Sequence, residues 1–322
     1  MPLHLPPAII GNDASLIPHL HLIRLDAIVP FASGNKLYKL AGYLQAAKAR
    51  GCQQLLSYGG VWSNHIHALA LTAQKAGLSS IGIIRGEPTS ADNPTLIDAK
   101  RAGMTLHFVN RADYRRRHDN DWLTQWQVRY PNALLIPEGG AGELGLSGFK
   151  GLAPRIRTAE GNTPAFIACA AGTGTTAAGL VHGMHAEQTL LVMPAVKDPS
   201  MPARVAELCQ TEAAQSRVQW LPSHKTRFGR LDHDLVDFAL RWLDATDTLL
   251  DPVYTLKLVY QLLYRARAGD FPRNANVAIV HSGGLQGWRG QLERVEQLAG
   301  ERARTRIQDA LRNAAGVNYP VY

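Results

Sequence analysis

Short apolar runs alternate with helix-period stretches along most of this chain, and three of the runs are followed by a glycine-rich turn and then a helical pattern. The runs suited to strands are 53–57, 80–84, 104–109, 133–136, 164–169, 189–193 and 276–280. The helical patterns are 35–50, 63–77, 93–102, 113–130, 145–159, 175–185, 199–213, 231–244, 255–268 and 285–298. This alternation predicts an α/β fold of mostly parallel, open twisted sheets with helices on both faces, because one parallel strand reaches the next only through a crossover. The turns Gly59-Gly60, Gly172-Thr173-Gly174 and Gly283-Gly284 predict three helix N-termini at strand ends. Backbone N–H groups there can hold anions, and ligands of such folds gather at the carboxyl ends of strands.

Composition narrows the function classes. The chain has 322 residues, 46% hydrophobic and 19% charged, enough for a large core and an ordinary globular composition. The net charge of +8 raises the question of nucleic acid, but the basic residues are scattered and no recognition motif accompanies them. The one dense run, Arg111 to Arg117, reads as a solvated helix face. A modest positive field also suits an anionic cofactor and an amino-acid carboxylate. Three separated cysteines, Cys52, Cys169 and Cys209, give neither a zinc spacing nor a disulfide framework. The first residues lack the pattern of a signal peptide, and no apolar run is long enough to span a membrane. A cytoplasmic protein without membrane or nucleic-acid partners is expected.

The segment after the run 164–169 reads Gly172-Thr173-Gly174-Thr175-Thr176. Glycines let the backbone approach an anion, and the threonines add hydroxyls. The stretch also fits a dinucleotide fingerprint, but the next strand ends at Val192-Met193-Pro194-Ala195-Val196 without the acid that a ribose needs. A P-loop is excluded because no Lys-Ser or Lys-Thr closes it. Near the start, Ser33-Gly34-Asn35-Lys36 places a lysine at a helix N-terminus, where an ammonium is disfavoured. Such a lysine is suited to losing its proton and attacking an aldehyde, with Lys39, one turn on, as the competing candidate. A lysine of this kind beside a phosphate cradle is the equipment for holding pyridoxal 5'-phosphate. Ser63 sits where a helix cap would, and its hydroxyl would otherwise bind a substrate carboxylate. Asn64 could donate to a cofactor phenolate oxygen. His65 and His67, two apart, diverge on a helix and make no metal pair. His182 and His185 share a helical face without a third ligand, so no metal site is expected.

In order along the chain come Gly34-Asn35-Lys36, Gly59-Gly60-Val61-Trp62-Ser63-Asn64-His65, Pro137-Glu138-Gly139-Gly140, Gly172-Thr173-Gly174-Thr175-Thr176, Asp251-Pro252-Val253-Tyr254-Thr255 and His281-Ser282-Gly283-Gly284. In these the chain resembles the D-cysteine desulfhydrase and 1-aminocyclopropane-1-carboxylate deaminase family of pyridoxal-phosphate enzymes, of the tryptophan-synthase-β-like group (fold type II). The resemblance implies that Lys36 is the Schiff-base lysine and that residues 172–176 bind the phosphate. Asn64 contacts the phenolic oxygen, and Thr255 and Ser282 lie near the pyridine nitrogen. Ser63, Asn64, His65, Phe228 and Tyr254 meet the substrate, with Ser63 and Tyr254 as catalytic partners of Lys36. It also implies two domains, 1–37 plus 151–322 and an inserted 38–150, and the expected assembly is a homodimer.

Two positions depart from the family pattern. Lys36-Leu37-Tyr38-Lys39 has tyrosine where the family has arginine, and Arg227-Phe228-Gly229 has phenylalanine where it has tyrosine. The expected function is a lyase or deaminase of a small amino acid, D-cysteine first. Alternatives are deamination of the cyclopropane amino acid and a non-catalytic cofactor-binding protein on the same fold.

Overall fold

A computed structural model describes residues 19–27, 34–149, 151–158, 161–270 and 275–315. Ser33 lies outside them. The chain divides into two compact units, residues 1–35 with 149–322, and Lys36–Gly148.

The described part opens with β1 (His19–Arg24), which belongs to the larger unit. The smaller unit then follows as α1 (Asn35–Ala49), β2 (Gln54–Gly60), α2 (Asn64–Lys75), β3 (Ser79–Arg85), α3 (Pro94–Arg101), β4 (Met104–Val109), α4 (Arg111–Arg115), α5 (Asn120–Arg129), β5 (Ala133–Ile136) and α6 (Glu143–Ser147). Its four strands are all parallel, in the order β4-β3-β2-β5. The chain therefore runs outward from β2 through β3 to β4 and then returns to the other side of β2. That reversal makes the β2/β5 boundary a topological switch point, where a crevice opens at the carboxyl ends of the strands. The register pairs Ser57 with Ile136, the last residue of β5, so the turn after β5 begins beside the final residues of β2.

The larger unit resumes with β6 (Phe166–Ala171), α7 (Thr175–Gly183), β7 (Thr189–Pro194), α8 (Met201–Cys209), α9 (Glu212–Gln215), β8 (Val218–Trp220), α10 (His233–Thr246), α11 (Thr255–Arg267), β9 (Asn276–His281), α12 (Leu292–Ala299) and α13 (Glu301–Ala315). Five parallel strands run in the order β1-β9-β6-β7-β8. Here the switch point falls between β6 and β9, and the segments 172–174 and 282–284 leave from those two strands. The central strands are apolar on both faces, as parallel strands covered by helices must be. Leu190, Leu191, Val192, Val277, Ala278 and Ile279 are fully buried.

Every run taken as a strand is one, but β1 and β8 were not anticipated. β8 is a three-residue edge strand. β1 alternates histidine with leucine, yet His21 is buried at 1% exposure, so its side chain does not face water. Four expected helices are broken. The pattern 113–130 splits into α4, whose start Asn110 caps by accepting from Asp113 N at 2.9 Å, and α5, with the break at 116–119. The pattern 145–159 is reduced to α6 and a 3-10 turn at Ala153–Arg155, which contains Pro154. The pattern 199–213 breaks where Gln210 takes φ 62° and Thr211 caps α9. The pattern 285–298 begins as a 3-10 turn, Leu285–Gly290, so the third glycine turn does not open an α-helix. In the basic run Arg111, Arg115 and Arg116 are exposed, but Arg117 pairs with Glu138 at 2.8 Å and is not part of a solvated face.

Candidate active site

The residues selected from sequence fall into two sets, one in each unit. In the larger unit they gather at the β6/β9 switch point. The turn after β6 ends at Gly174, which caps α7 with φ 81°. That left-handed conformation favours glycine, and a Cβ there would meet Val205 Cγ2 at 2.5 Å. The turn thus aims the first N–H groups of the nine-residue α7 outward, with no acid in its first turn. Thr173 Oγ1 and Thr175 Oγ1 lie 3.2 Å apart, and Thr176 Oγ1 accepts from Asn35 Nδ2 at 3.0 Å. Backbone donors, hydroxyls and a first helical turn without an acid make a donor set that fits a dianionic phosphate.

The turn after β9 meets the same region. Gly34 has φ 79°, and a Cβ on it would lie 1.9 Å from the Ser282 carbonyl oxygen, which accepts from Asn35 N at 3.0 Å. Gly34→Ala is therefore expected to cost about 3 kcal/mol or more, read as a lowered denaturant midpoint, because backbone must move on both sides. Ser282 N donates to Thr255 Oγ1 at 3.3 Å, so these two positions lie together. Thr255 is fully buried at the start of α11. Its helix is capped by Asp251, whose carboxylate accepts from the N–H groups of Val253, Tyr254 and Thr255 at 3.1, 2.7 and 2.8 Å. Tyr254 stands against Gly172, where a Cβ would meet its ring at 3.4 Å. Phe228 packs edge-on to the Tyr254 ring at 5.8 Å while remaining 49% exposed.

In the smaller unit the set lies at the β2/β5 switch point. Lys36 is the second residue of α1, directly after Asn35. Its Nζ donates to Gly139 O at 3.3 Å, and buried Lys39 donates to the same oxygen at 3.1 Å. Burial pulls the Lys36 amine down to about 8, against opposing contributions from Lys39 and Glu138. Ser63 caps α2, accepting from Ile66 N at 3.3 Å, and Asn64 is the first residue of that helix. His65 is 3% exposed and bonded through Nε2 to Ser57 Oγ at 2.8 Å. The Ser57 hydroxyl donates to Ile136 O at 2.7 Å, so the ring must be the Nε2–H tautomer. Burial, with the two lysines, holds the His65 pKa well below its ordinary value. His67 turns away to Asp98 at 3.1 Å. His185 lies beyond the end of α7 and does not share a helix with His182. Among the described residues no group of histidines, cysteines and acids could hold a metal ion.

Sequence reasoning missed the parts played by Asn35, Asp251 and the Gly139 carbonyl. An acid ahead of an apolar helix was a readable capping signal for Asp251. A backbone oxygen leaves no mark in sequence.

No protein-family model matches the chain. A Pyrococcus abyssi protein provisionally named 1-aminocyclopropane-1-carboxylate deaminase is 28% identical over 277 residues, which cover 79% of this chain and 81% of the relative. A Yersinia pestis D-cysteine desulfhydrase is 25% identical over 283 residues, covering 81% of this chain and 86% of the relative. The chain is thus similar, over about four fifths of its length, to proteins that carry the names 1-aminocyclopropane-1-carboxylate deaminase and D-cysteine desulfhydrase. Among solved structures, an ACC deaminase homologue superposes with TM-score 0.77 at 22% identity, covering 92% of this chain and 94% of that one. Serine racemase from Dictyostelium discoideum gives TM-score 0.63 at 11% identity, covering 86% of this chain and 92% of that one. The fold is thus the fold type II of pyridoxal-phosphate enzymes, in agreement with the parallel sheets expected from sequence. Among the described residues no helix is long and apolar enough to cross a membrane.

Proposed function

We propose that this chain, a pyridoxal-phosphate-dependent enzyme, is a lyase of the D-cysteine desulfhydrase type. The observation that carries the choice is the pair Thr255 and Ser282 beside the anion cradle, joined by their own hydrogen bond. Both offer neutral hydroxyls. The neighbouring acid, Asp251, commits its carboxylate to three backbone N–H groups. Opening a cyclopropane amino acid has no α-proton to remove and relies on a carboxylate to stabilise a pyridinium, which a hydroxyl cannot do as well. β-Elimination asks less of that position.

Residues 172–176 with Asn35 would hold the phosphate, Lys36 the aldehyde carbon, Asn64 the phenolic oxygen, and Thr255 and Ser282 the ring nitrogen. Bound there, the cofactor supplies an electron sink for charge developing at the α-carbon of an amino acid. Lys36, with a lowered basicity, takes the α-proton as general base. Ser63 and the N-terminus of α2 bind the substrate carboxylate, Tyr254 assists near the departing sulfur, and Phe228 and His65 are further substrate-binding residues. The β-carbon–sulfur bond breaks with its electron pair leaving on sulfur. D-Cysteine and water thereby give pyruvate, ammonia and hydrogen sulfide.

Sulfide release from D-cysteine is expected to exceed keto-acid release from 1-aminocyclopropane-1-carboxylate, and Thr255→Glu is expected to shift that ratio by about tenfold or more toward the cyclopropane. Faster opening of the cyclopropane by the unaltered protein would establish the deaminase reading instead. An unmoved ratio in Thr255→Glu would remove the argument from the ring position.

A further inference from the structure

Two features stand outside the chemistry just described: the half-buried end of the basic run, Arg117, and the segment Pro137-Glu138-Gly139-Gly140. The structure joins them. Glu138 Oε2 accepts from Arg117 Nε at 2.8 Å, and Oε1 accepts from the Tyr114 hydroxyl at 2.6 Å. The Arg117 guanidinium lies 5.0 Å over the Tyr114 ring and that of Arg85 5.4 Å over it. Burial and the adjacent carboxylate push the Tyr114 phenol far up, so it remains a donor. The next residue, Gly139, has φ 69° and Gly140 has φ 68°. A Cβ on Gly140 would press on Lys39 Cβ at 3.1 Å. This left-handed pair turns the Gly139 carbonyl onto Nζ of both Lys36 and Lys39.

We propose that Tyr114, Glu138 and Arg117 form a brace that fixes the Gly139 carbonyl and sets the charge felt by the Lys36 ε-amino group, as positioning residues for that lysine. Two ammonium groups on one carbonyl oxygen repel each other. A carboxylate in the same turn offsets the repulsion, and Arg117 in turn limits how much of its charge reaches Lys36. The groups facing Lys36 within the unit are Lys39 from α1, neutral His65 from α2 and Glu138 from the turn after β5. The proposal rests on Lys36 being the working amine, but its test does not pass through turnover.

The full-length, cofactor-stripped chain is labelled with acetic anhydride across a pH series, and the extent at Lys36 is read by peptide mass spectrometry. The unaltered amine should titrate near 8. Glu138→Gln should lower its midpoint by about one pH unit, giving about fivefold more reactive amine at pH about 7. Arg117→Gln and the milder Tyr114→Phe should raise it, because each leaves the carboxylate less neutralised. Arg117→Gln should then have no effect in the Glu138→Gln background. A midpoint unmoved by Glu138→Gln, or an Arg117→Gln shift that persists without the carboxylate, would overturn the brace. Borohydride mapping of the cofactor to another lysine would refute the Lys36 assignment and leave this result standing, so the two failures are distinguishable.

Discussion

Lys36→Ala is expected to abolish the borohydride-stable cofactor adduct and lower turnover by about a thousandfold or more, since it removes both the amine that engages the aldehyde and the general base. Lys39→Ala should retain the adduct. The two lysines share one acceptor, Gly139 O, but Lys39 is only 2% exposed. The lowered basicity of Lys36 gives the difference a magnitude. With the amine at about 8 rather than 10.5, roughly three hundred times more of it is unprotonated at neutral pH than for an ordinary lysine. Adduct formation should therefore rise with pH and level off once the amine has lost its proton above about 8. Borohydride reduction followed by peptide mapping checks both statements. A label on Lys39, or an adduct that survives Lys36→Ala, would overturn the assignment.

Gly174→Asp is expected to weaken cofactor retention by about a hundredfold relative to Gly174→Ala, about 2.7 kcal/mol. The alanine control is needed because any side chain at 174 meets two penalties unrelated to the ligand. The residue is left-handed at φ 81°, which costs about 1–2 kcal/mol for an L side chain, and Val205 Cγ2 would lie 2.5 Å away. The aspartate adds a negative charge at the N-terminus of α7, against the dianion that the cradle would hold. Equilibrium dialysis of pyridoxal phosphate with both variants separates packing from charge. Equal retention would place the phosphate elsewhere.

Much of this architecture was legible along the chain. Period-two and period-3.6 patterns reflect local geometry, so the seven expected runs appear as β2 to β7 and β9, and the glycine turns mark the strand ends from which the candidate residues project. The threonine-rich turn before α7 and the capping serine before α2 were readable for the same reason, since a helix N-terminus is built from consecutive residues. Breaks inside helices were less legible: Gln210 at φ 62° and the 3-10 turn at Leu285–Gly290 reflect packing that overrides local preference.

What the sequence determined by itself was the α/β class, the two glycine turns that lead into α2 and α7, and a lysine placed at a helix start. Strand order was decided only by the tertiary structure, because nothing in β5 or β9 says beside which earlier strand it will lie. That order creates both switch points. It brings Ser282 to Thr255 across 27 residues, Gly139 to Lys36 across 103, and Arg117 to Glu138 across 21. Such pairings depend on long-range burial and on backbone atoms common to every residue type, and neither is encoded in a local pattern.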